Sequence, residues 1–261
     1  MLAAILSFQS TPSRIIVDPL NQDLPPLDIL SANDDFVVVN KPGGVLTQAP
    51  PGIDSIELRL FRMRQALAAS PKCYVGVPHR LDRPVSGAIV LGLNKPATRR
   101  LAELFQKREV QKIYWAVVRG SIVDDSGTWS DFMRKIPDQA KSEVVAQDHP
   151  DAQLAILNYQ VVKRANECSW LRIELETGRT HQIRMQCAAR GFPVLGDEQY
   201  GSLDFFGPQT VDTRERWIAL HARRIAFAET NKAESTPYDA PLSNHWNSLL
   251  EFLPELNELD Y

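Results

Sequence analysis

The densest group of ionisable side chains is His79-Arg80-Leu81-Asp82-Arg83, which comes directly before an apolar run that begins at Ser86. A carboxylate between two arginines is kept ionised by their charge, and an ionised aspartate can act as a nucleophile or as a base. A salt-bridge cluster at the edge of a strand would contain the same residue types, and composition alone favours that interpretation. The role of Asp82 therefore has to be judged from the pattern around it.

Strands are predicted on both sides of this cluster. Residues 35–40 form a β-branched run that Lys41-Pro-Gly-Gly44 ends, since proline and glycine stop a strand and favour a turn. Lys41 is thereby interpreted as part of a turn rather than as a Schiff-base lysine. Residues 86–93 form the second apolar run, and Asn94-Lys-Pro96 predicts a helix start because proline is well tolerated in a first helical turn.

The remaining pattern predicts an α+β fold, with a mixed, largely antiparallel sheet flanked by helices and loops. Further strands are predicted at 110–118, 155–162 and 169–176, and a helix at about 180–190 that Gly191 ends. Residues 121–153 show no strong period and predict an excursion from the core. We predict an irregular N-terminal arm (1–33), a catalytic domain (34–228) and an acidic C-terminal extension (229–261) that packs on the core and contains at least one helix.

Six motifs, in this order, resemble those of the RluA family of RNA pseudouridine synthases. They are Asn40-Lys-Pro-Gly-Gly44, His79-Arg-Leu-Asp82 with Ser86-Gly87, Gln111-Lys-Ile-Tyr-Trp-Ala116, Glu176-Thr-Gly-Arg-Thr-His-Gln-Ile-Arg184, Gly196-Asp-Glu-Gln-Tyr200 and Leu220-His-Ala222. The sequence departs from the family pattern at Val85, where threonine is usual, and at Ala228-Glu229, where His-Pro is usual. The resemblance implies the pseudouridine synthase fold, and residues 1–33 leave too little room for an N-terminal S4 RNA-binding module.

The resemblance also implies an isomerase that flips a uridine out of structured rRNA or tRNA and converts it to pseudouridine. Asp82 corresponds to the family's essential aspartate, which attacks the sugar C1′ or abstracts a proton to give a glycal. Tyr114 corresponds to a tyrosine that stacks on the target base and is a candidate for proton transfer at C5. Arg184 corresponds to the arginine that pairs with the aspartate, since its planar fork can hold a carboxylate at two points.

Six further residues are predicted to contact the RNA. Arg80 corresponds to an arginine that fills the space left by the flipped nucleotide, and Ile183 would form an apolar wall beside Arg184. The other four, from the same motifs, are His79, Arg179, His181 and Gln182.

Two other classes of protein are consistent with parts of the sequence. An RNA-binding or RNA-chaperone protein with incidental or lost catalysis would share the basic residues, but Asp82, Tyr114 and Arg184 are all present. A glycoside or nucleoside hydrolase with Asp82 as nucleophile would normally need a second carboxylate. No metal or other cofactor is expected, because the histidines are dispersed and have no HxxxH or CxxC spacing.

The overall composition is that of a soluble protein whose charge is unevenly distributed along the chain. The formal net charge is −3, whereas residues 79–119 contain nine Lys/Arg against three acids and residues 225–261 contain one Lys against seven acids. A basic segment fits phosphate binding, although a merely solvated face would look the same. Three widely spaced cysteines favour the reducing cytoplasm, and the lack of an apolar run of about 18 residues argues against a membrane span. We expect the protein to be a monomer.

Overall fold

The computed structural model describes residues 15–16, 25–68, 73–229 and 234–250. The chain divides into two compact units. The first comprises Met1–Gln111 and Ala222–Pro241, and the second comprises Lys112–His221 and Leu242–Tyr261.

Eleven strands and four α-helices are found along the described chain. The strands are β1 (Ile15–Ile16), β2 (Leu27–Ala32), β3 (Phe36–Lys41), β4 (Ser86–Gly92), β5 (Gln111–Arg119), β6 (Ser126–Lys135), β7 (Ser142–Val144), β8 (Gln153–Ala165), β9 (Cys168–Leu175), β10 (Leu220–Ala228) and β11 (Ser235–Asp239). The helices are α1 (Ile56–Ala68), α2 (Lys95–Gln106), α3 (Gln182–Ala189) and α4 (Asn247–Leu250). Short 3-10 turns occur at Glu198–Tyr200, Thr213–Glu215 and Asn244–Trp246.

The first unit contains the strand order β1-β2-β3-β4-β10-β11. Neighbours are antiparallel at β1/β2, β2/β3, β3/β4 and β10/β11. Gly87 in β4 has φ +117°, and a Cβ atom there would lie 2.3 Å from the Ala222 carbonyl oxygen of β10. Only glycine fits where β4 and β10 approach each other this closely, which explains Gly87 in the Ser86-Gly87 pair after Asp82.

Apolar residues of these strands and of α2 form the core of the first unit. Phe36, Val38, Val90 and Phe227 are buried there, and Leu101 of α2 packs against them. The helix begins as predicted, since the Asn94 side chain accepts a hydrogen bond (2.8 Å) from the Ala97 amide and proline follows in the first turn.

The second unit contains the antiparallel strand order β5-β9-β8-β6-β7. The hairpin between β8 and β9 turns through two residues, Asn166 and Glu167, which both have positive φ (51° and 58°). Such two-residue turns match the twist of antiparallel strands. Trp170, Leu171 and Trp246 are fully or almost fully buried in this unit.

The predicted α+β fold with a largely antiparallel sheet is confirmed, as is the helix that Gly191 ends at φ +79°. Two local predictions are wrong. Residues 121–153 contain β6 and β7 rather than an excursion, because β6 pairs with β8 along most of its length. Residues 27–32 of the supposedly irregular arm form β2, which the antiparallel neighbour β3 stabilises through backbone hydrogen bonds that local periodicity does not reveal.

The C-terminal region is described only as far as residue 250. β11 pairs with β10 in the first unit, whereas α4 and the preceding 3-10 turn belong to the second unit. The helix predicted after residue 229 is therefore present but short, and residues 251–261 lie outside the described residues. Within the described ranges, no helix has the length and apolar composition needed to cross a membrane.

Candidate active site

Asp82 lies in a short irregular segment immediately before β4, and its backbone is held from both sides. The buried Thr47 hydroxyl donates to the Leu81 carbonyl (2.9 Å) and accepts from the Leu81 amide (3.1 Å). The Val85 amide donates to the Asp82 carbonyl (3.1 Å), which closes a turn after the aspartate. These contacts fix the segment without using the half-buried Asp82 carboxylate.

Lys41, the last residue of β3, holds the same segment from another direction. Its side chain is completely buried (0% exposed), and its Nζ donates to the carbonyls of Pro42 (2.9 Å), Val45 (2.6 Å) and Arg83 (3.2 Å). Three acceptors match the three N–H groups of an ammonium ion. The interpretation that Lys41 shapes the turn after β3 is confirmed, and the bond to Arg83 extends that role to the residue next to Asp82.

The charge of Lys41 is coupled to that of Asp82. Burial lowers the Lys41 pKa from 10.5 to about 7, the negative charge of Asp82 acts to raise this pKa, and the positive charges of Arg59 and Arg83 lower it further. Desolvation is the largest effect. Lys41 is thus a buried amino group that gains or loses its charge near neutral pH, in the immediate electrostatic surroundings of the predicted catalytic carboxylate.

His79 and Arg80, which precede Asp82, differ in their surroundings. The Nε2 of His79 accepts from the Val90 amide (3.1 Å), and its ring stacks on Phe105 with the centroids 4.1 Å apart. A ring nitrogen that accepts carries no hydrogen, so the neutral ring bears its hydrogen on Nδ1. Arg80 is exposed. These contacts anchor His79 within the first unit, and the RNA contacts of both residues stay predictions.

Tyr114 is a half-buried residue of β5 in the second unit, opposite Ile173 of β9. Its chain neighbours Ile113 and Trp115 are buried and, because side chains alternate along a strand, lie on the other face of β5. Tyr114 is therefore not part of the hydrophobic layer that those two residues form.

Arg184 lies in the first turn of α3 and forms an almost completely buried ion pair with Asp197. Its Nε and Nη2 donate to the two carboxylate oxygens at 2.6 and 2.8 Å, and the two side chains are 4% and 1% exposed. Nη2 also donates to Gln199 (2.8 Å), and the guanidinium lies over the Tyr200 ring, 4.9 Å from its centroid. Such bidentate pairs are among the strongest hydrogen-bonded contacts in proteins.

The observed ion pair changes how Arg184 has to be interpreted. The two-point grip that we predicted for Asp82 is made with Asp197. The pairing of Arg184 with Asp82 stays a prediction, and it would require the opposite, Nη1 end of the guanidinium.

The other predicted RNA-contacting residues of the second unit lie next to Arg184 in sequence. The Gln182 amide oxygen accepts from the Arg179 amide (3.0 Å) and the Thr177 hydroxyl (2.7 Å), and its nitrogen donates to the Ile156 carbonyl (3.0 Å). Gln182 thus shapes the turn that leads into α3. Ile183 is buried.

His181 precedes α3 and has an unusual backbone conformation for a residue other than glycine, with φ 54° and ψ 26°. Such a conformation costs free energy and is retained where surrounding contacts fix it. The His181 Nδ1 lies 2.9 Å from the Tyr200 hydroxyl, and the Ser142 hydroxyl donates to the preceding Thr180 carbonyl (2.8 Å).

Each unit therefore brings together part of the predicted set. The first unit places His79, Arg80 and Asp82 in one segment that Lys41 holds, and the second places His181 and Arg184 around Tyr200. Tyr114 also belongs to the second unit.

The burial of Lys41 and the contacts of Asp197 and Tyr200 were not predicted from sequence. The signal for the latter two was the Gly196–Tyr200 motif. Gly196 has φ +85°, and a Cβ there would lie 2.6 Å from the Trp217 carbonyl, so the motif combines a backbone position restricted to glycine with an acid and an aromatic residue.

Comparisons with known proteins agree with this fold and these motifs. Residues 35–189 match the family described as RNA pseudouridylate synthase. An uncharacterized RNA pseudouridine synthase of Aquifex aeolicus (strain VF5) is 33% identical over 88% of this chain and 74% of its own length. Ribosomal large subunit pseudouridine synthase D of Haemophilus influenzae (strain ATCC 51907 / DSM 11121 / KW20 / Rd) is 31% identical over 90% of this chain and 75% of its own.

Among solved structures, Human RNA Pseudouridylate Synthase Domain Containing 4 has the same fold, with a TM-score of 0.70 and 24% identity over 87% of this chain and 92% of that one. The chain belongs to the RNA pseudouridylate synthase family, whose members are isomerases that act on uridine in RNA. Within that class it is a pseudouridine synthase of the RluA type.

Proposed function

We propose that the chain converts one or more uridines of ribosomal large-subunit RNA to pseudouridine, with Asp82 as the catalytic carboxylate. The RNA class is inferred from relatives named ribosomal large subunit pseudouridine synthase D in Haemophilus influenzae, Pasteurella multocida and Neisseria meningitidis. The observation that carries the assignment of Asp82 is the set of bonds from Thr47 and Lys41, which fix the backbone of Leu81 and Arg83 on either side of it.

The reaction needs one reactive group of the protein and a uracil ring that is held precisely. The flipped uridine loses its N1–C1′ bond with help from Asp82, the detached ring turns, and C5 bonds to C1′. C5 then releases its hydrogen as a proton and N1 gains one, so product and substrate are isomers. A carboxylate suits the first step either as a nucleophile at C1′ or as a base that gives a glycal.

The remaining roles follow from side-chain chemistry. We propose that Tyr114 stacks on the base and takes part in proton transfer at C5, and that Arg184 stabilises the ionised Asp82. Arg80 enters the RNA stack in place of the flipped nucleotide, which its exposure in the first unit supports. His79, Ile183, Arg179, His181 and Gln182 are proposed to contact the RNA around these groups.

We propose further that the enzyme acts as a monomer in the cytoplasm. The three cysteines, all within the described residues, form no disulfide, which fits a reducing compartment. Light scattering of the purified chain at micromolar concentration would give a dimer mass if the proposed monomer is wrong.

Comparative mapping of pseudouridine in total RNA tests the proposed function. RNA from cells with and without the gene should differ at one or more uridines of large-subunit RNA, and the wild-type gene but not Asp82→Asn should restore them. Sites lost only from tRNA would contradict the RNA class, and no lost site would contradict the proposal. Release of free uracil by the purified enzyme would instead indicate a hydrolase.

A further inference from the structure

The Gly196–Tyr200 motif has no role in the mechanism so far, yet its side chains contact two residues that do. Asp197 and Tyr200 both contact Arg184, and Tyr200 also contacts His181. All four residues belong to the second unit, and Asp197 and Tyr200 are buried. Because Asp197 and Tyr200 are buried, they are suited to orienting the side chains of Arg184 and His181.

The contacts of Arg184 fix both the plane and the rotation of its guanidinium. Asp197 engages the edge formed by Nε and Nη2, Gln199 takes a second hydrogen of Nη2, and the Tyr200 ring covers one face. These bonds engage Nε and both hydrogens of Nη2 within the second unit. The Nη1 end of the guanidinium is opposite the edge that Asp197 binds, so Asp197 sets the direction in which Nη1 points.

The Tyr200 hydroxyl lies within hydrogen-bond distance of the His181 ring. The Ser142 amide donates to this hydroxyl oxygen (2.8 Å), and the His181 Nδ1 lies 2.9 Å from the same oxygen. A phenol oxygen that already accepts from an amide is best satisfied when its own hydrogen is donated, and Nδ1 is placed to receive it. When the hydroxyl donates to Nδ1, the imidazole hydrogen resides on Nε2, because the bond made by one ring nitrogen determines the state of the other.

A backbone contact supports the same arrangement. Ser142, which donates its amide to Tyr200, also donates its hydroxyl to the Thr180 carbonyl, next to the left-handed His181. The Gln199 side-chain nitrogen donates to the Ala140 carbonyl (2.7 Å). Residues 140–142 thus hold the His181 backbone and the Tyr200 hydroxyl in one hydrogen-bonded network.

We propose that Asp197 and Tyr200 are positioning residues of the synthase. Asp197 and the Tyr200 ring orient Arg184 so that Nη1 is its working end, and the Tyr200 hydroxyl keeps His181 in the tautomer that offers an Nε2 hydrogen to an RNA acceptor. Neither residue touches the substrate. The inference rests on the proposed function, since it assigns a purpose to the orientation of two residues that act on RNA.

Tyr200→Phe is the main test, because it retains the ring beneath Arg184 and removes only the hydroxyl. The single-turnover rate constant for pseudouridine formation should fall about tenfold, while the Kd for the RNA stays within about twofold. Tyr159→Phe, the same change at another buried tyrosine of the second unit, should leave both unchanged. A Tyr200→Phe rate equal to that of wild type would overturn the inference.

A spectroscopic measurement separates positioning from a general packing role. In ¹⁵N-histidine-labelled wild-type protein, with His181 assigned by comparison with His181→Gln, the imidazole should show hydrogen on Nε2 and a bare Nδ1. Tyr200→Phe should convert this signal to an average of the two tautomers. Hydrogen on Nδ1 in the wild-type protein would overturn the inference even if the variant did not fold.

The proposed orientation of Arg184 by Asp197 is tested by two substitutions at Asp197. Asp197→Asn keeps the shape of the side chain but places an amide against the guanidinium. The rate constant per folded molecule should fall with little change in RNA affinity, and Asp197→Glu should restore part of it. Failure of Glu to restore any rate, or a loss explained entirely by the unfolded fraction, would contradict this part.

Asp82→Asn distinguishes failure of this inference from failure of the proposed function. If Asp82→Asn is as active as wild type, the proposed function is wrong whatever Tyr200→Phe does. If Asp82→Asn is inactive while Tyr200→Phe keeps the wild-type rate and tautomer, the inference is wrong and the proposed function stands.

Discussion

Several residues of this synthase are held through their backbone or through one edge of their side chain. Thr47 binds the backbone next to Asp82 rather than its carboxylate, and Asp197 binds one edge of the Arg184 guanidinium. Tyr114 lies on the face of β5 away from the buried Ile113 and Trp115. Substitutions at these positions should therefore be followed by separate measurements of reaction rate and of stability.

Tyr114→Phe should retain the ring and most RNA binding but slow product formation. If the hydroxyl takes part in proton removal at C5, the rate constant should fall by about a hundredfold or more, the usual range for a lost general acid or base. Quenched single-turnover assays would measure the rate constant, and filter binding would measure the affinity for the RNA. A nearly silent substitution would show that the ring serves only as packing, because the change preserves volume.

Arg184→Lys should reduce both activity and stability. Lysine keeps the charge but cannot reproduce the bidentate bond to the buried Asp197, so the free energy of unfolding should fall by about 1.5–3 kcal/mol, the range for one hydrogen bond to a charged group. Urea unfolding monitored by tryptophan fluorescence would measure this change. Wild-type stability together with wild-type turnover would contradict the role given to the ion pair.

Secondary-structure elements place several of these residues at or near their ends. Lys41 ends β3, Asp82 precedes β4, and Arg184 opens α3. Element ends carry the turn segments in which a side chain can bond to backbone carbonyls, as Lys41 does with three of them.

Lys41→Met should alter how stability depends on pH. Burial lowers the Lys41 pKa from 10.5 to about 7, so between these values the unfolded chain binds a proton that the folded chain lacks. Lys41 therefore makes the free energy of unfolding increase as pH rises through this window, by up to about 1.4 kcal/mol per pH unit. Below pH 7 it adds no such increase.

Denaturation of wild type and Lys41→Met from pH 7 to 10 would measure this contribution as the difference between the two proteins, which removes the titration of groups common to both. The difference should grow in favour of wild type as pH rises. Parallel curves over the whole range would contradict the lowered pKa.

Patterns within single elements predicted much of the fold. The Asn94 cap of α2, the glycine stop after α3 and the β5, β8 and β9 strands follow from local periodicity and turn residues. β2 and β6 were not predicted, since they are stabilised by pairing with β3 and β8, and strand pairing is not visible in the periodicity of the paired segment alone. The partner of Arg184 was not predicted for the same reason, because nothing local to α3 identifies Asp197.

At the scale of the whole molecule, the uneven charge distribution bears on RNA binding. The basic segment 79–119 contains α2, where Arg99 is 84% exposed and paired only at the surface with Glu103. Arg100 differs, because its Nη2 donates to the Ala228 carbonyl (2.9 Å) and so contributes to the structure. Arg99 is therefore the cleaner position at which to test this surface.

Arg99→Glu should weaken RNA binding without lowering the melting temperature. Affinity should fall as salt rises, since contacts between cations and phosphates release counterions, and the salt dependence should lose about one phosphate contact in the variant. Arg214→Glu, a reversal at an exposed arginine outside the basic segment, is the matched control. Equal losses in both variants, or an affinity independent of salt, would count against this surface as the RNA-binding face.

The central claim, that Asp82 performs the isomerisation, is tested most directly by tritium release from RNA labelled at C5 of uridine. Wild-type enzyme should release tritium in proportion to pseudouridine formed, because C5 loses its hydrogen when it bonds to C1′. Asp82→Asn, which removes the charge and nearly preserves the shape, should bind the same RNA, unfold at a similar temperature and release no tritium above background. Substantial release by a clean preparation of Asp82→Asn would contradict the account.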